Sequence, residues 1–180
     1  MGDGKMTIRN LSRDAPARSA PRSFRSVGSA PMNKILFLCT GNYYRSRFAE
    51  EYFNHQADRF ELPWRADSRA LARDLAATGN QGPISTFAVT ELQRRAIPIR
   101  GGARHPITAR PTDFEAAHRI IAVSRREHEP MLREHFPEVL ERIQYFEIGD
   151  LDVEAPATAI ARLTQAIDLE IAALRSRHGV

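Results

Sequence analysis

After Lys34, every residue up to the only cysteine in the chain, Cys39, is apolar: the run reads KILFLC. A strand with no polar face has to be covered on both sides, as in a parallel sheet flanked by helices. TGNYY follows directly, and SRFAEEYFNHQA then pairs Phe48 with Tyr52 and Ala49 with Phe53 at helical spacing. A buried strand that passes through a short glycine-containing loop into a helix is the repeating unit of α/β sheets.

The alternation continues. WRADSRAL is a weaker strand candidate, GNQGP a turn, ISTFAVTELQRRA an amphipathic helix and GGARHPITARP a loop. RIIAVS reads as a strand, RREHEPMLREHF as a helix carrying Pro130, and IQYFEI as a fourth strand. The last helix, APATAIARLTQAIDLEIAALRSR, keeps Ile160, Leu163, Ile167, Ile171 and Leu174 on one stripe. This order predicts an α/β fold: a four-stranded parallel twisted sheet with helices on both faces, wound right-handed.

The chain's pI near 9.7 invites a nucleic-acid reading, but the charge is unevenly placed. Residues 1–31 hold six basic and two acidic side chains, which accounts for the whole net charge of +4, and the other 20 basic and 20 acidic residues cancel. Basicity therefore belongs to the leader, and no nucleic-acid partner is expected of the fold. The leader is rich in Arg, Ser and Pro, lacks the apolar core of a secretory signal, and is expected to be disordered. The domain is expected to span residues 32–180, with Met32 as a candidate start. No apolar run has the length of a membrane span, and one cysteine fits a reducing, cytoplasmic setting.

In a sheet of this kind ligands sit at the carboxyl ends of strands, where loops enter helix N-termini. Cys39 occupies that place. The amides of loop 40–45 converge there, and Gly41 and Asn42 tolerate the tight backbone such a cradle needs. Arg45 offers a planar fork of donors to two phosphate oxygens, and the same pocket would supply Cys39 as a thiolate nucleophile.

CTGNYYRSRFAE resembles the signature of the low-molecular-weight protein tyrosine phosphatases, C-x-G-N-x-C-R-S-P-x-A-E. WRADSRA, GNQGPISTFAVTELQRRAIPI and YFEIGD resemble later segments of that family in the same order. The resemblance implies a phosphatase that hydrolyses phosphotyrosine or a similar aryl phosphate, on a protein or a small molecule. It would work through a phosphocysteine on Cys39 and release inorganic phosphate. Thr40, Gly41, Asn42, Tyr43, Tyr44, Arg45 and Ser46 would form the phosphate-binding loop. Asn42 would brace that loop, Ser46 would direct its hydroxyl at the sulfur, and Ser68 would support Asn42. No cofactor or metal is implied, and the six histidines show no metal-ligand spacing. His128 and His135, on a charged helix, are read as facing solvent.

The departures are specific. The family's second cysteine is Tyr44 here, so a protective disulfide with the nucleophile is ruled out. Its proline is Arg47, expected to add positive charge beside the loop. The aspartates at the entry and exit of its third strand are absent from AAHRIIAVSRREH, and its Asp-Pro-Tyr-Tyr loop is replaced by GDLDVEAP. Asp150 aligns with the family's general acid, and Asp152, two residues on, is the alternative. Tyr43 and Tyr44 are candidates for the aromatic walls that the missing tyrosines would have formed. Two other readings fit the same loop: an arsenate reductase coupled to an external thiol, and a non-catalytic phosphate-binding pseudophosphatase.

Overall fold

In the computed structural model the apolar run becomes β1 (Asn33–Cys39). The structure describes Met1, residues 32–150 and residues 155–178. The leader beyond Met1 and the segment 151–154, which contains Asp152, lie outside the described residues. After β1 come α1 (Arg45–Arg59), β2 (Trp64–Ala70), α2 (Thr86–Arg94), α3 (Pro111–Ala116), β3 (Arg119–Ala122), α4 (Arg125–His135), β4 (Ile143–Tyr145) and α5 (Pro156–His178). The strands pair in the order β2-β1-β3-β4, all parallel, giving the expected four-stranded α/β sheet.

β1 is covered on both faces. Ile35, Phe37 and Cys39 join the core shared with α1, α2 and α5, and Leu36 and Leu38 pack with Phe114, Leu132 and Phe136 on the side of α3 and α4. All five of these β1 side chains are at most 3% exposed, and full burial of a large apolar side chain stabilises by about 1.5–3 kcal/mol. On the edge strand β2, Trp64, Ala66, Ser68 and Ala70 point inward while Arg65, Asp67 and Arg69 alternate outward. That half-exposed position explains the strand's weak sequence signal. The predicted stripe of α5 is buried along its length.

Two elements differ from the reading of the sequence. Residues 111–116 form the short α3, which six residues with a single buried side chain, Phe114, did not announce. β4 stops at Tyr145 rather than Ile148, because Glu147 takes a left-handed φ of 54°. The chain nevertheless stays on β3: Phe146 N–H bonds Ala122 O and Ile148 N–H bonds Val123 O. This continuation carries Asp150 to the edge of the sheet where β1 ends. No helix among the described residues is long and apolar enough to cross a membrane.

Candidate active site

Between Cys39 and the first residue of α1, the chain turns on Asn42, whose φ is 48°. Such a conformation is locally unfavourable for a residue with a Cβ and persists where its surroundings hold it. Here they do so through the side-chain amide. Oδ1 of Asn42 accepts from Ile107 N–H at 3.0 Å and from Arg104 at 3.2 Å, which fixes the orientation of the amide. Nδ2 then donates to Ser68 Oγ at 2.7 Å and to Ser46 Oγ at 3.2 Å.

The strand register places Ser68 opposite Phe37, two residues before the cysteine. The Ser68 hydroxyl donates to Glu50 at 2.6 Å, and Arg104 donates to both Glu50 and Ser68. Burial pushes the Glu50 carboxyl above its usual range, while Arg104, the Ser68 hydroxyl and Arg47 pull it back. The bonds run in one sense, so Ser46, which accepts from Asn42, has its proton left for Cys39 Sγ at 3.0 Å. Ser46 Oγ thus lies at the Cys39 sulfur and Ser68 Oγ at the Asn42 amide.

Arg45 is 1% exposed. Nη1 donates to Glu127 Oε1 at 2.9 Å and to Ile148 O at 3.0 Å; Nη2 donates to Glu127 Oε2 and Asp150 Oδ2, each at 2.7 Å. Burial alone would weaken its hold on the proton. Glu127, Cys39 and Asp150 outweigh that and hold the guanidinium above its ordinary range, so it is a cation.

Glu127 was not foreseen, although Ser124-x-x-Glu127 opens α4 with a capping-box pattern. Ser124 Oγ does accept the Glu127 N–H, but the carboxylate turns to Arg45 instead of back to the Ser124 N–H. That N–H goes to His128 Nδ1 at 3.1 Å. His128 is fully buried rather than solvent-facing, because the first turn of α4 lies against the loop. With Nδ1 accepting, Nε2 carries the ring proton and donates to Thr40 Oγ1 at 3.3 Å. Burial, helped by the Arg45 charge, pushes the imidazole pKa down to about 3, so it is neutral.

Arg47 also departs from expectation. Its side chain, in the first turn of α1, is buried, donating to Glu50 at 3.1 Å and Gly101 O at 2.5 Å, so its charge serves the interior.

A cavity of about 480 Å³ opens over the sulfur, with Cys39, Tyr43, Tyr44, Arg45, Phe87 and Asp150 in its lining. Tyr43 OH donates to Gln81 O at 2.7 Å and Tyr44 OH to Pro156 O at 3.0 Å, which fixes both rings. The Tyr44 ring meets Phe87 edge to face with centroids 6.2 Å apart. Gly41 faces Asn80 so closely that a Cβ would lie 2.5 Å from its Nδ2. Thiol, guanidinium and carboxylate thus face one space, with the Ser46 hydroxyl buried against the sulfur, which suits a tetrahedral oxyanion with a nucleophile behind it. Among the described residues no group of His, Cys, Asp and Glu is placed to hold a metal ion.

The sequence pattern of the low molecular weight phosphotyrosine protein phosphatase family matches residues 34–168. A low molecular weight protein tyrosine phosphatase from T. tengcongensis is similar in structure, with 25% identity, a TM-score of 0.62, and 76% of this chain and 95% of that one covered. An arginine phosphatase from Geobacillus stearothermophilus has 21% identity, a TM-score of 0.63 and coverages of 81% and 94%. Wzb from Vibrio vulnificus, in complex with benzylphosphonate, has 18% identity, a TM-score of 0.61 and coverages of 81% and 99%. The likeness to the last two is one of fold. No curated protein matches the sequence.

Proposed function

Since the chain belongs to the low molecular weight phosphotyrosine protein phosphatase family, we propose that it hydrolyses phosphotyrosine or a similar aryl phosphate through a phosphocysteine on Cys39. The family is one of phosphatases, and phosphocysteine chemistry is general to it. The observation that carries the assignment to this chain is the convergence of Cys39, Arg45 and Asp150 on one aromatic-walled cavity, with the buried Ser46 hydroxyl at the Cys39 sulfur.

In this reading the Cys39 thiolate, held by the Ser46 proton, attacks phosphorus from behind the bond to the aryl oxygen. The S–P bond forms as the P–O bond breaks. Arg45 and the amides of Thr40, Gly41, Asn42, Tyr43, Tyr44 and Ser46 take the charge that gathers on the equatorial oxygens. Asp150, once displaced from Arg45 by the substrate and having taken up a proton from solvent or from a monoanionic phosphate, gives that proton to the departing phenolate. It then accepts one from the water that hydrolyses the phosphocysteine, releasing inorganic phosphate and free Cys39. Asp152 is the alternative donor. Tyr43, Tyr44 and Phe87 would flank the aryl ring, and a flat ring fits between fixed aromatic walls better than a branched alkyl group. The substrate is a phosphorylated protein or a small aryl phosphate, and a reducing cytoplasm suits a chain whose one thiol is the nucleophile.

The test is turnover of para-nitrophenyl phosphate by the full chain, with Cys39→Ser as control and phosphoarginine as comparison substrate. Hydrolysis of the aryl ester that disappears in Cys39→Ser supports the reading. Preference for phosphoarginine would replace the substrate class. Thiol-dependent arsenate reduction without ester hydrolysis would replace the reaction, and phosphate binding without either activity would leave a pseudophosphatase.

A further inference from the structure

The site holds a carboxylate that neither the signature loop nor the acid loop provides. We infer that Glu127 is a positioning residue for the phosphoryl transfer proposed above, acting through Arg45, with His128 anchoring the same turn of α4 to the loop at Thr40. A guanidinium has two edges that present paired donors: Nη1 with Nη2, and Nη2 with Nε. Glu127 fills the first with two parallel bonds of 2.9 and 2.7 Å, and the remaining Nη1 proton goes to Ile148 O. The edge left to face a phosphoryl group is Nη2–Nε, and Asp150 lies at its Nη2 end.

Glu127 thereby selects the edge that meets substrate and holds its plane, since two bonds to one carboxylate and a third to Ile148 O stop rotation of the group. Asp150 is the exchangeable partner: its side chain is 37% exposed against 24% for Glu127, and it sits where phosphoryl oxygens would bind. The turn carrying Glu127 is itself fixed. Ser124 accepts the Glu127 N–H, the Ser124 N–H bonds His128 Nδ1, and the opposite ring nitrogen bonds Thr40. Arg45 and Thr40 lie near the two ends of the phosphate loop, so one helical turn pins the loop at both.

A double-mutant cycle tests the inference. Glu127→Ala and the near-isosteric Glu127→Gln are each made in the wild-type and Arg45→Lys backgrounds. Steady-state kinetics on para-nitrophenyl phosphate are normalised to folded protein by near-UV circular dichroism. Glu127→Ala should lower kcat about 10- to 100-fold with KM changed less than about 3-fold, because the brace matters most when the equatorial oxygens spread in the transition state. In the Arg45→Lys background, which has no fork to orient, it should cost less than about 3-fold. Equal losses in both backgrounds, or no loss in the wild type, would overturn the role. Turnover by wild type but not Cys39→Ser tests the underlying reading separately. If wild type proves inactive, calorimetric binding of inorganic phosphate across the same proteins decides the coupling, and additive effects would sink it.

Discussion

The carboxylate of Asp150 lies 2.7 Å from Nη2 of Arg45, so the proposed proton donor rests on the proposed phosphoryl clamp. Substrate has to displace that contact before chemistry. The displaced carboxylate, no longer held in its charged form by Arg45, takes up a proton and is then beside the oxygen that needs it. The two jobs are exclusive in time, which ties the arrival of the phosphoryl group to release of the acid.

From this, Asp150→Asn should slow cysteine phosphorylation by roughly 100- to 10,000-fold, the usual range for a lost proton donor. The defect should shrink for aryl phosphates whose leaving groups need no proton. Asp152→Asn should be mild. Rapid-quench kinetics over a series of phenols check this, and the reverse pattern would move the role to Asp152.

Asn42→Ala should damage both stability and rate. It removes the amide partner of Ile107 N–H, Arg104 and Ser68. Arg104 and Ser68 keep each other and Glu50, so the main cost, about 1–3 kcal/mol before any relaxation, falls on the part-buried Ile107 N–H. The Ser46 proton is then free to turn away from the sulfur. Urea denaturation and kcat on the same samples measure the two effects; loss of stability with kcat unchanged would mean that the network does not reach Cys39.

His128 predicts acid sensitivity. Its folded pKa of about 3 lies below the ordinary 6.5, so on acidification the unfolded chain binds a proton that the folded chain refuses. Its contribution to stability is complete above about pH 6.5 and is lost as pH falls toward 3, with a slope of at most about 1.4 kcal/mol per pH unit. His128→Gln should flatten that limb when unfolding free energy is measured from pH 7 to 4. An unchanged slope would place the acid sensitivity elsewhere.

Tyr44, locked between Phe87 and Pro156, stands where a second thiol would trap the sulfenic acid of Cys39 as a disulfide with loss of water. After brief peroxide exposure, dithiothreitol should restore little wild-type activity and much more of the Tyr44→Cys activity. Each protein is scored against its own untreated sample, and equal recovery would show that the missing thiol is irrelevant to protection.

The sheet was legible where one face or both faces of an element are buried along its length. KILFLC read as an interior strand and the five-residue stripe of α5 as one face of a long helix, and both are buried. β2 was faint because edge position lets Asp67 and the arginines alternate with small buried residues. The loop residues were legible because cysteine, glycine, asparagine and arginine share one geometric purpose there. The partners from afar were not. Glu127 stood out in no way, His128 read as a solvent-facing residue on a charged helix, and Arg47 as a positive charge beside the loop. Their burial depends on which element packs over them, which no local spacing records.

The central claim is that Cys39 carries the phosphoryl group. Acid-quenched wild-type protein, mixed for milliseconds with an aryl phosphate and digested for mass spectrometry, should yield one phosphorylated peptide, modified at Cys39, whose amount rises and decays at rates consistent with kcat. In Glu127→Gln it should form more slowly at the same residue, and in Cys39→Ser no such competent intermediate should form. Substrate hydrolysis at the full rate with no phosphate on Cys39 would contradict the account.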